Sequence, residues 1–115
     1  MNGGESTIPV VVIDVRTERE LNADGKIPGS HNIPIAKIKE AFKMPENEFF
    51  QKYGFKKPSK SYQNVVLTCQ VGGRANFARK LLEKQDYNHL RVYEGSFLDW
   101  SDNNGPICFP NDKDC

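Results

Sequence analysis

The sequence has no long hydrophobic run and almost no net charge. The longest apolar run near the start extends from Pro9 to Ile13, which is far too short for a membrane span or for the core of a secretion signal. Lysine and arginine together number 16 and aspartate and glutamate 15, so the net charge is +1. This balance gives no reason to expect nucleic acid or an anionic membrane as a partner. We therefore expect a soluble protein with neither of these partners.

Cysteine is also scarce. The chain has three cysteines, Cys69, Cys108 and Cys115, which form no CxxC pair and cannot all pair within one chain. This pattern fits a reducing compartment, cytoplasmic or mitochondrial, better than a disulfide scaffold. At least one thiol is expected to be free.

The length of 115 residues, with 37% hydrophobic and 27% charged residues, suits one ordinary globular domain. We assign residues 10–101 to that domain and residues 1–9 to a flexible N-terminus. Residues 102–115 are rich in Asn, Asp, Gly and Pro, and we expect them to form a flexible tail. We also expect a monomer.

Hydrophobic patterns predict strands that alternate with helices. The predicted strands are Val10–Arg16, Asn32–Ile35, Val65–Thr68 and Leu90–Tyr93. The predicted helices are residues 18–24, Ala36–Phe42, Pro45–Tyr53, Ala75–Gln85 and a short helix after Gly95. This order predicts an α/β fold, an open parallel sheet with helices on both faces.

Helical spacing also predicts which side chains are buried. The apolar residues expected on buried helix faces are Phe49, Phe50, Tyr53, Phe77, Ala78, Leu81, Leu82, Phe97 and Trp100. Thr17 and Glu20 have the spacing of a capping box at the start of the first helix. His31 follows loop residues, so we expect it at the surface.

Cys69 lies at the predicted carboxyl end of a strand, where open parallel sheets bind their ligands. The next residues, Gln70, Val71, Gly72, Gly73 and Arg74, connect this strand to a helix. The two glycines allow backbone N–H groups to turn inward, and the helix N-terminus adds its positive end. A thiol in such surroundings is expected to ionise readily. The alternative is a small buried cysteine beside a tight turn, and the spacing does not decide between the two.

The chain as a whole resembles single-domain rhodaneses, which are thiosulfate sulfurtransferase-like proteins. The matching segments are "VVVIDVRTERE" (10–20), "GKIPGSHNIPI" (25–35), "VVLTCQVGGRA" (65–75) and "VYEGSFLDW" (92–100). The segment "AFKMPENEFFQKYGFKKPSK" also resembles a small eukaryotic subgroup that includes heat-shock 67B2-like proteins.

The resemblance implies that Cys69 takes a sulfane sulfur, becomes a persulfide and passes the outer sulfur to an acceptor. The implied donors are thiosulfate or a small persulfide, and the acceptors are a glutathione-like thiol, a thioredoxin-like protein or cyanide. No metal or organic cofactor is implied. Inward N–H groups would stabilise both the thiolate and the persulfide. Phosphatases on the same fold have a loop one residue longer, so the four residues between Cys69 and Arg74 favour a sulfur site.

Several roles stay open. Arg74 either holds the sulfonate of the donor or braces the loop. Asp14 and Arg16 end a strand near the loop, and bracing of the fold is the preferred role for them. Cys108 and Cys115 either relay a persulfide, form a disulfide with Cys69 or are simply exposed, and their polar surroundings favour exposure. The alternative function is a weakly catalytic module for partner binding or redox sensing, with Cys69 as a sulfenic-acid switch.

The chain departs from the family pattern in two places. Rhodanese domains usually begin with an edge strand and a helix, and only residues 1–9 precede the first predicted strand here. The N-terminal strand and helix are therefore expected to be missing, and two readings stay open: either the chain is a shortened form, or one sheet edge is uncovered, which would favour association or lower stability. Ser96 stands where the family usually has glycine, a change expected to affect only the local turn.

Overall fold

Strands and helices alternate along the chain in the computed structural model, which describes residues 8–113 and residue 115. The strands are β1 (Val11–Asp14), β2 (His31–Asn32), β3 (Val65–Thr68) and β4 (Leu90–Val92). The helices of the described residues are α1 (Glu18–Asp24), α2 (Ile35–Ala41), α3 (Glu46–Tyr53), α4 (Gly73–Glu83) and α5 (Ser96–Asp102). Most of the N-terminus expected to be flexible, residues 1–7, lies outside the described residues.

The four strands form one parallel sheet in the order β2-β1-β3-β4. Helix α4 contacts the strands β3 and β4 and also packs against α2. The predicted α/β fold with an open parallel sheet is therefore confirmed. Within the described residues the edges of this sheet are β2 and β4, and both are short, which limits the backbone they expose for pairing with another chain.

The core forms where the apolar strands meet the apolar sides of α2, α3 and α4. Its fully buried members include Ile13, Ile33, Ile38, Phe49, Leu67, Ala78 and Leu82. β1 and β3 are apolar and largely buried, as is usual for the central strands of a parallel sheet.

β2 is shorter than predicted and begins one residue earlier. Pro34 has no N–H to donate, so the regular strand ends before it and α2 begins at Ile35. The backbone nevertheless stays beside β1, since Ile33 N donates to Asp14 O at 3.0 Å and Ile35 N to Val15 O at 3.0 Å. α4 begins earlier than predicted, at Gly73, because the two glycines belong partly to the helix.

Two predicted core residues are exposed instead. Phe50 is 56% exposed and Phe77 is 57% exposed, whereas their neighbours Phe49 and Ala78 are fully buried. Consecutive residues of a helix point about 100° apart, so both aromatic side chains lie beyond the buried side of their helices. Helical spacing alone therefore predicted a buried face that is one residue too wide on each of these helices.

Two further side chains lie between core and surface. Trp100 is half-buried, and its Nε1 donates to the carbonyl of Pro106 at 2.6 Å. His31 is half-buried in β2 and stacks on Phe55 with 3.9 Å between ring centroids. Burial lowers the pKa of His31, and the charge of Lys26 lowers it further. The surface position expected for His31 is therefore wrong, because β2 begins at this residue.

Residues 105–113 and 115 form a segment, part of the expected flexible tail, that makes defined contacts with the domain. Cys108 pairs with Lys26 in an antiparallel bridge, with backbone bonds of 2.8 and 3.1 Å. Cys108 also forms a disulfide with Cys115, with 5.5 Å between their Cα atoms. We call this segment the C-terminal clasp. Two expectations for these cysteines are therefore wrong: flexible exposure, and a disulfide with Cys69. The chain turns back beside Lys26, and this brings Cys108 and Cys115 together.

Within the described part of the chain, none of the helices has the length and apolar character needed to cross a membrane.

Candidate active site

The strand register brings three chain segments together at the carboxyl edge of the sheet. Asp14 of β1 lies beside Thr68 of β3, and Leu67 lies beside Val92 of β4. The residues that follow these strands therefore converge on one place, which is where parallel sheets bind ligands. They include Arg16 after β1, Cys69 to Arg74 after β3, and Ser96 after β4.

The loop from Cys69 to Arg74 turns sharply because of Gly72. Gly72 has φ of +101°, and a Cβ built there would lie 2.5 Å from the carbonyl oxygen of Glu94. Gly73 is the first residue of α4, and an added Cβ would meet nothing within 4 Å among the described residues. The curl that the sequence attributes to a glycine pair thus depends on Gly72.

The thiol of Cys69 is enclosed by the loop. Its Sγ accepts hydrogen bonds from Gly72 N at 3.0 Å and from Ala75 N, at the start of α4, at 3.4 Å. The residue is only 1% exposed. The expected ring of inward amides is therefore present around the sulfur.

These contacts lower the pKa of the Cys69 thiol. Burial by itself raises that pKa, because it disfavours the charged form. The amides of Ala75 and Gly72, the Ser96 hydroxyl and the Val71 amide all lower it, and together they outweigh burial. The geometry therefore favours a thiolate without a histidine as base.

Asp14 and Arg16 form a buried ion pair below the loop. Arg16 is fully buried, and its Nε and Nη2 donate to the Asp14 carboxylate at 2.8–3.1 Å. Arg16 Nη2 also donates to Gly25 O at 3.0 Å, and Nη1 to the Gln70 side chain at 3.5 Å. The pair thus connects β1, the end of α1 and the second residue of the loop, a geometry that favours the bracing role.

Arg74 closes the loop on its other side through Glu20. Arg74 Nη1 and Nη2 donate to the two carboxylate oxygens of Glu20 at 2.6 and 2.8 Å. The hydrogen bond from Arg74 is the largest influence on Glu20 and lowers its pKa to about 2. A guanidinium with both terminal nitrogens on a carboxylate is suited to bracing, so the geometry favours bracing over binding of a donor sulfonate.

Glu20 and Ser96 are the two neighbours of the loop whose role sequence reasoning missed. The capping box of Thr17 and Glu20 is present as predicted, but nothing in the sequence joins Glu20 to Arg74. Ser96 Oγ accepts a hydrogen bond from Cys69 N at 3.1 Å. The signal in the sequence that could have indicated the role of Ser96 was the serine at a position where the family usually has glycine.

The start of α5 holds the backbone at the beginning of the loop. Phe97 N donates to Cys69 O at 2.9 Å, and Leu98 N donates to Gln70 O at 3.0 Å. Val71 is the outward-facing residue of the loop, with 62% of its surface exposed. The structure therefore brings all the sequence-predicted site residues together, with Gln70 facing Arg16 and Val71 facing solvent.

The fold and the loop define a class: α/β proteins that hold a thiol in an anion-binding loop at the carboxyl end of a parallel sheet. Within that class the chain belongs to the rhodanese-like domain family, whose model matches residues 2–103.

Sequence relatives and a solved structure agree with this membership. A Schizosaccharomyces pombe protein is 43% identical over 100 residues, which cover 87% of this chain and 67% of that protein, and its name contains the words thiosulfate sulfurtransferase and mitochondrial. The human thiosulfate:glutathione sulfurtransferase is 35% identical over 89 residues, covering 77% of this chain and 76% of that protein. The solved structure of the human single-domain sulfurtransferase TSTD1 is 33% identical and superposes with a TM-score of 0.75 over 81% of each chain. The protein is therefore an enzyme of the rhodanese type, with a sulfurtransferase function.

Proposed function

We propose that the protein moves sulfane sulfur from thiosulfate or a small persulfide to a thiol acceptor through a persulfide on Cys69. The observation that carries this proposal is the Cys69 sulfur itself. This sulfur accepts hydrogen bonds from two backbone amides at the carboxyl end of the sheet. The pKa of the Cys69 thiol is lowered although the residue is buried. An enclosed thiolate of this kind is a nucleophile that needs no separate base.

The first step forms one S–S bond and breaks another. The Cys69 thiolate attacks the outer sulfur of thiosulfate, and the bond from that sulfur to the sulfonate group breaks. Sulfite leaves with the bonding electron pair, and Cys69 keeps the outer sulfur as a persulfide. The amides that held the thiolate then lie next to a persulfide anion, which they stabilise as an oxyanion hole stabilises an oxyanion.

The second step returns the enzyme to its starting state. An acceptor thiolate attacks the outer sulfur, the persulfide bond breaks, and Cys69 leaves as a thiolate. The same amides stabilise this leaving group, so both steps use one preorganised site. In this scheme Arg74 braces the loop through Glu20, the Asp14–Arg16 pair supports it from below, and no cofactor takes part.

The names of the relatives support a proposal for the acceptor and for the location. Because one human relative is named for transfer to glutathione, we propose a glutathione-like thiol as the physiological acceptor, with cyanide as an alternative acceptor in assays. A thioredoxin-like protein as acceptor and a monomeric state stay predictions, as does the 67B2-like subgroup. A mitochondrial location is proposed from the name of the Schizosaccharomyces pombe relative, with the cytoplasm as the alternative.

Intact-mass spectrometry after incubation with thiosulfate tests this proposal. The wild-type protein should gain the mass of one sulfur atom, and the Cys69→Ser variant should not. The matched control is the double variant Cys108→Ser/Cys115→Ser, which keeps Cys69 and should still gain the sulfur. Later addition of glutathione should remove it.

An unchanged mass of the wild-type protein would refute persulfide formation from thiosulfate. The alternative, a weakly catalytic module that senses oxidants, would then gain support from a sulfenic acid on Cys69 after treatment with peroxide.

A further inference from the structure

Ser96 occupies a backbone conformation that is rare for a residue with a side chain. Its φ is +52°, in the left-handed region that glycine adopts without cost. The residue is fully buried at the start of α5. A buried serine in this conformation is disfavoured locally, so it persists where its side chain makes contacts that a glycine lacks.

The Ser96 hydroxyl lies between the backbone and the sulfur of Cys69. Its Oγ accepts a hydrogen bond from Cys69 N at 3.1 Å and donates one to Tyr93 O at 2.8 Å. Its Oγ is also 3.9 Å from Cys69 Sγ. A hydroxyl has one proton, so it donates either to the Tyr93 carbonyl or to the sulfur at any one time.

The Tyr93 carbonyl is able to release this proton without losing its only partner. Its oxygen also accepts a hydrogen bond from Ser96 N at 3.0 Å. When the hydroxyl turns towards Sγ, Tyr93 O therefore stays hydrogen-bonded. The cost of leaving a buried carbonyl without a partner, which would otherwise oppose the rotation, is avoided.

We propose that Ser96 is a positioning residue for sulfur transfer, which holds Cys69 by its backbone amide and turns its hydroxyl from Tyr93 O to Sγ when the sulfur becomes negative. The proposal rests on the proposed function of Cys69 and adds a side-chain donor to the backbone amides of Gly72 and Ala75. Hydrogen bonds to a charged partner are stronger than neutral ones. The hydroxyl therefore favours the thiolate over the thiol.

Two substitutions separate the hydroxyl from the backbone conformation. Ser96→Ala removes the hydroxyl and keeps a Cβ at positive φ, whereas Ser96→Gly removes the hydroxyl and also relieves the backbone. Ser96→Gly is therefore expected to fold even if Ser96→Ala does not. Asp86→Gly is the matched control, because Asp86 also has positive φ, +70°, but is exposed after α4.

The readout is the ionisation of Cys69, followed by the ultraviolet absorbance of the thiolate in a Cys108→Ser/Cys115→Ser background. In both Ser96 variants the Cys69 thiol should titrate about half a pH unit or more above its midpoint in the reference protein. Such a shift makes the thiolate fraction about threefold smaller at pH values below the midpoint. In the Asp86→Gly variant, Cys69 should titrate at the same pH as in the reference protein. The charged groups near the thiol, Arg74 and the Asp14–Arg16 pair, are the same in all these proteins.

Equal midpoints for the reference and Ser96→Gly proteins would overturn the proposal. Because this titration contains no sulfur donor, its result does not depend on whether Cys69 takes sulfur from thiosulfate. A second measurement, the rate of sulfite release from thiosulfate below the midpoint, should fall about threefold in Ser96→Gly, in step with the thiolate fraction.

Discussion

At the scale of single residues, the two glycines after Cys69 have different tasks although they are adjacent and identical in the sequence. Gly72 has positive φ and faces the Glu94 carbonyl, whereas Gly73 is an open position at the start of α4. The need for glycine is therefore confined to one of them, and substitution of each by alanine should have opposite effects.

Gly72→Ala should lower the free energy of unfolding by about 3 kcal/mol, because a Cβ at this φ is strained and would also meet a carbonyl. It should also raise the pKa of Cys69, because the amide that donates to Sγ is displaced. Gly73→Ala should stabilise the protein by less than about 1 kcal/mol, since alanine restricts the unfolded chain and suits a helix. Urea unfolding measures the free energy of unfolding of both variants. If Gly73→Ala lowered it as much as Gly72→Ala, the different roles given to the two glycines would be contradicted.

Asp14 is a residue whose burial decides its importance. Asp14→Asn leaves the Arg16 guanidinium buried without its counter-charge, so the free energy of unfolding should fall by about 3 kcal/mol or more. The matched control is Glu83→Gln, which breaks the ion pair with Arg79 on the surface of α4 and should cost less than about 1 kcal/mol. Equal losses in denaturant unfolding for the two variants would refute a structural role for the buried pair.

At the scale of elements, the Glu20–Arg74 ion pair connects α1 to the start of α4. Both ends of this link are at helix starts, since Glu20 is also part of the α1 capping box. Glu20→Gln keeps a side chain able to cap α1 but removes the charge that holds Arg74. The substitution therefore tests the link between the elements separately from the stability of α1.

The pKa of Glu20 gives this test a pH window. Because the folded pKa of about 2 is below the usual 4.5, the pair stabilises the protein fully above about pH 4.5 and loses this contribution as the pH falls towards 2. Wild type should therefore be more stable than Glu20→Gln at pH 6, and the difference should shrink steadily between pH 4.5 and 2. Thermal unfolding across this range measures it. The matched control is Glu18→Gln, which removes an exposed charge from the same turn of α1 and leaves the link between Glu20 and Arg74 in place.

Helices and strands of this chain were predictable to within a few residues, because their signals are local. The apolar runs that form the strands, and the Thr17–Glu20 capping box, are determined by residues close together in the sequence. The exposed positions of Phe50 and Phe77 were not predictable in this way. Their exposure depends on how far the packed partner reaches around each helix, and that partner is distant in sequence.

At the scale of the whole molecule, the C-terminal clasp covers the end of α1. A Cβ at Gly25, the C-cap of α1, would overlap Ile107 and lie 3.1 Å from Cys108 O. The Cys108–Cys115 disulfide closes a short loop at the end of the chain, so it restricts the unfolded chain less than a disulfide across a long loop would. Its removal should therefore loosen the clasp without unfolding the domain.

The double variant Cys108→Ser/Cys115→Ser should lose about 2–3 kcal/mol in the free energy of unfolding. A thiol reductant should lower the stability of wild type by the same amount and leave the double variant unchanged. Sensitivity of the double variant to the reductant would show that the effect arises elsewhere than in the clasp.

The sequence by itself determined the element order, the parallel sheet and the position of Cys69 at a strand end before a glycine turn. These features follow from local patterns of hydrophobicity, from backbone preferences and from the family motifs. The tertiary structure alone decided that Glu20 holds Arg74, that Ser96 reaches the Cys69 backbone, and that Cys108 pairs with Cys115. Each of these three contacts joins groups whose meeting depends on how the folded chain packs, and none of them is encoded by the residues next to them in the sequence.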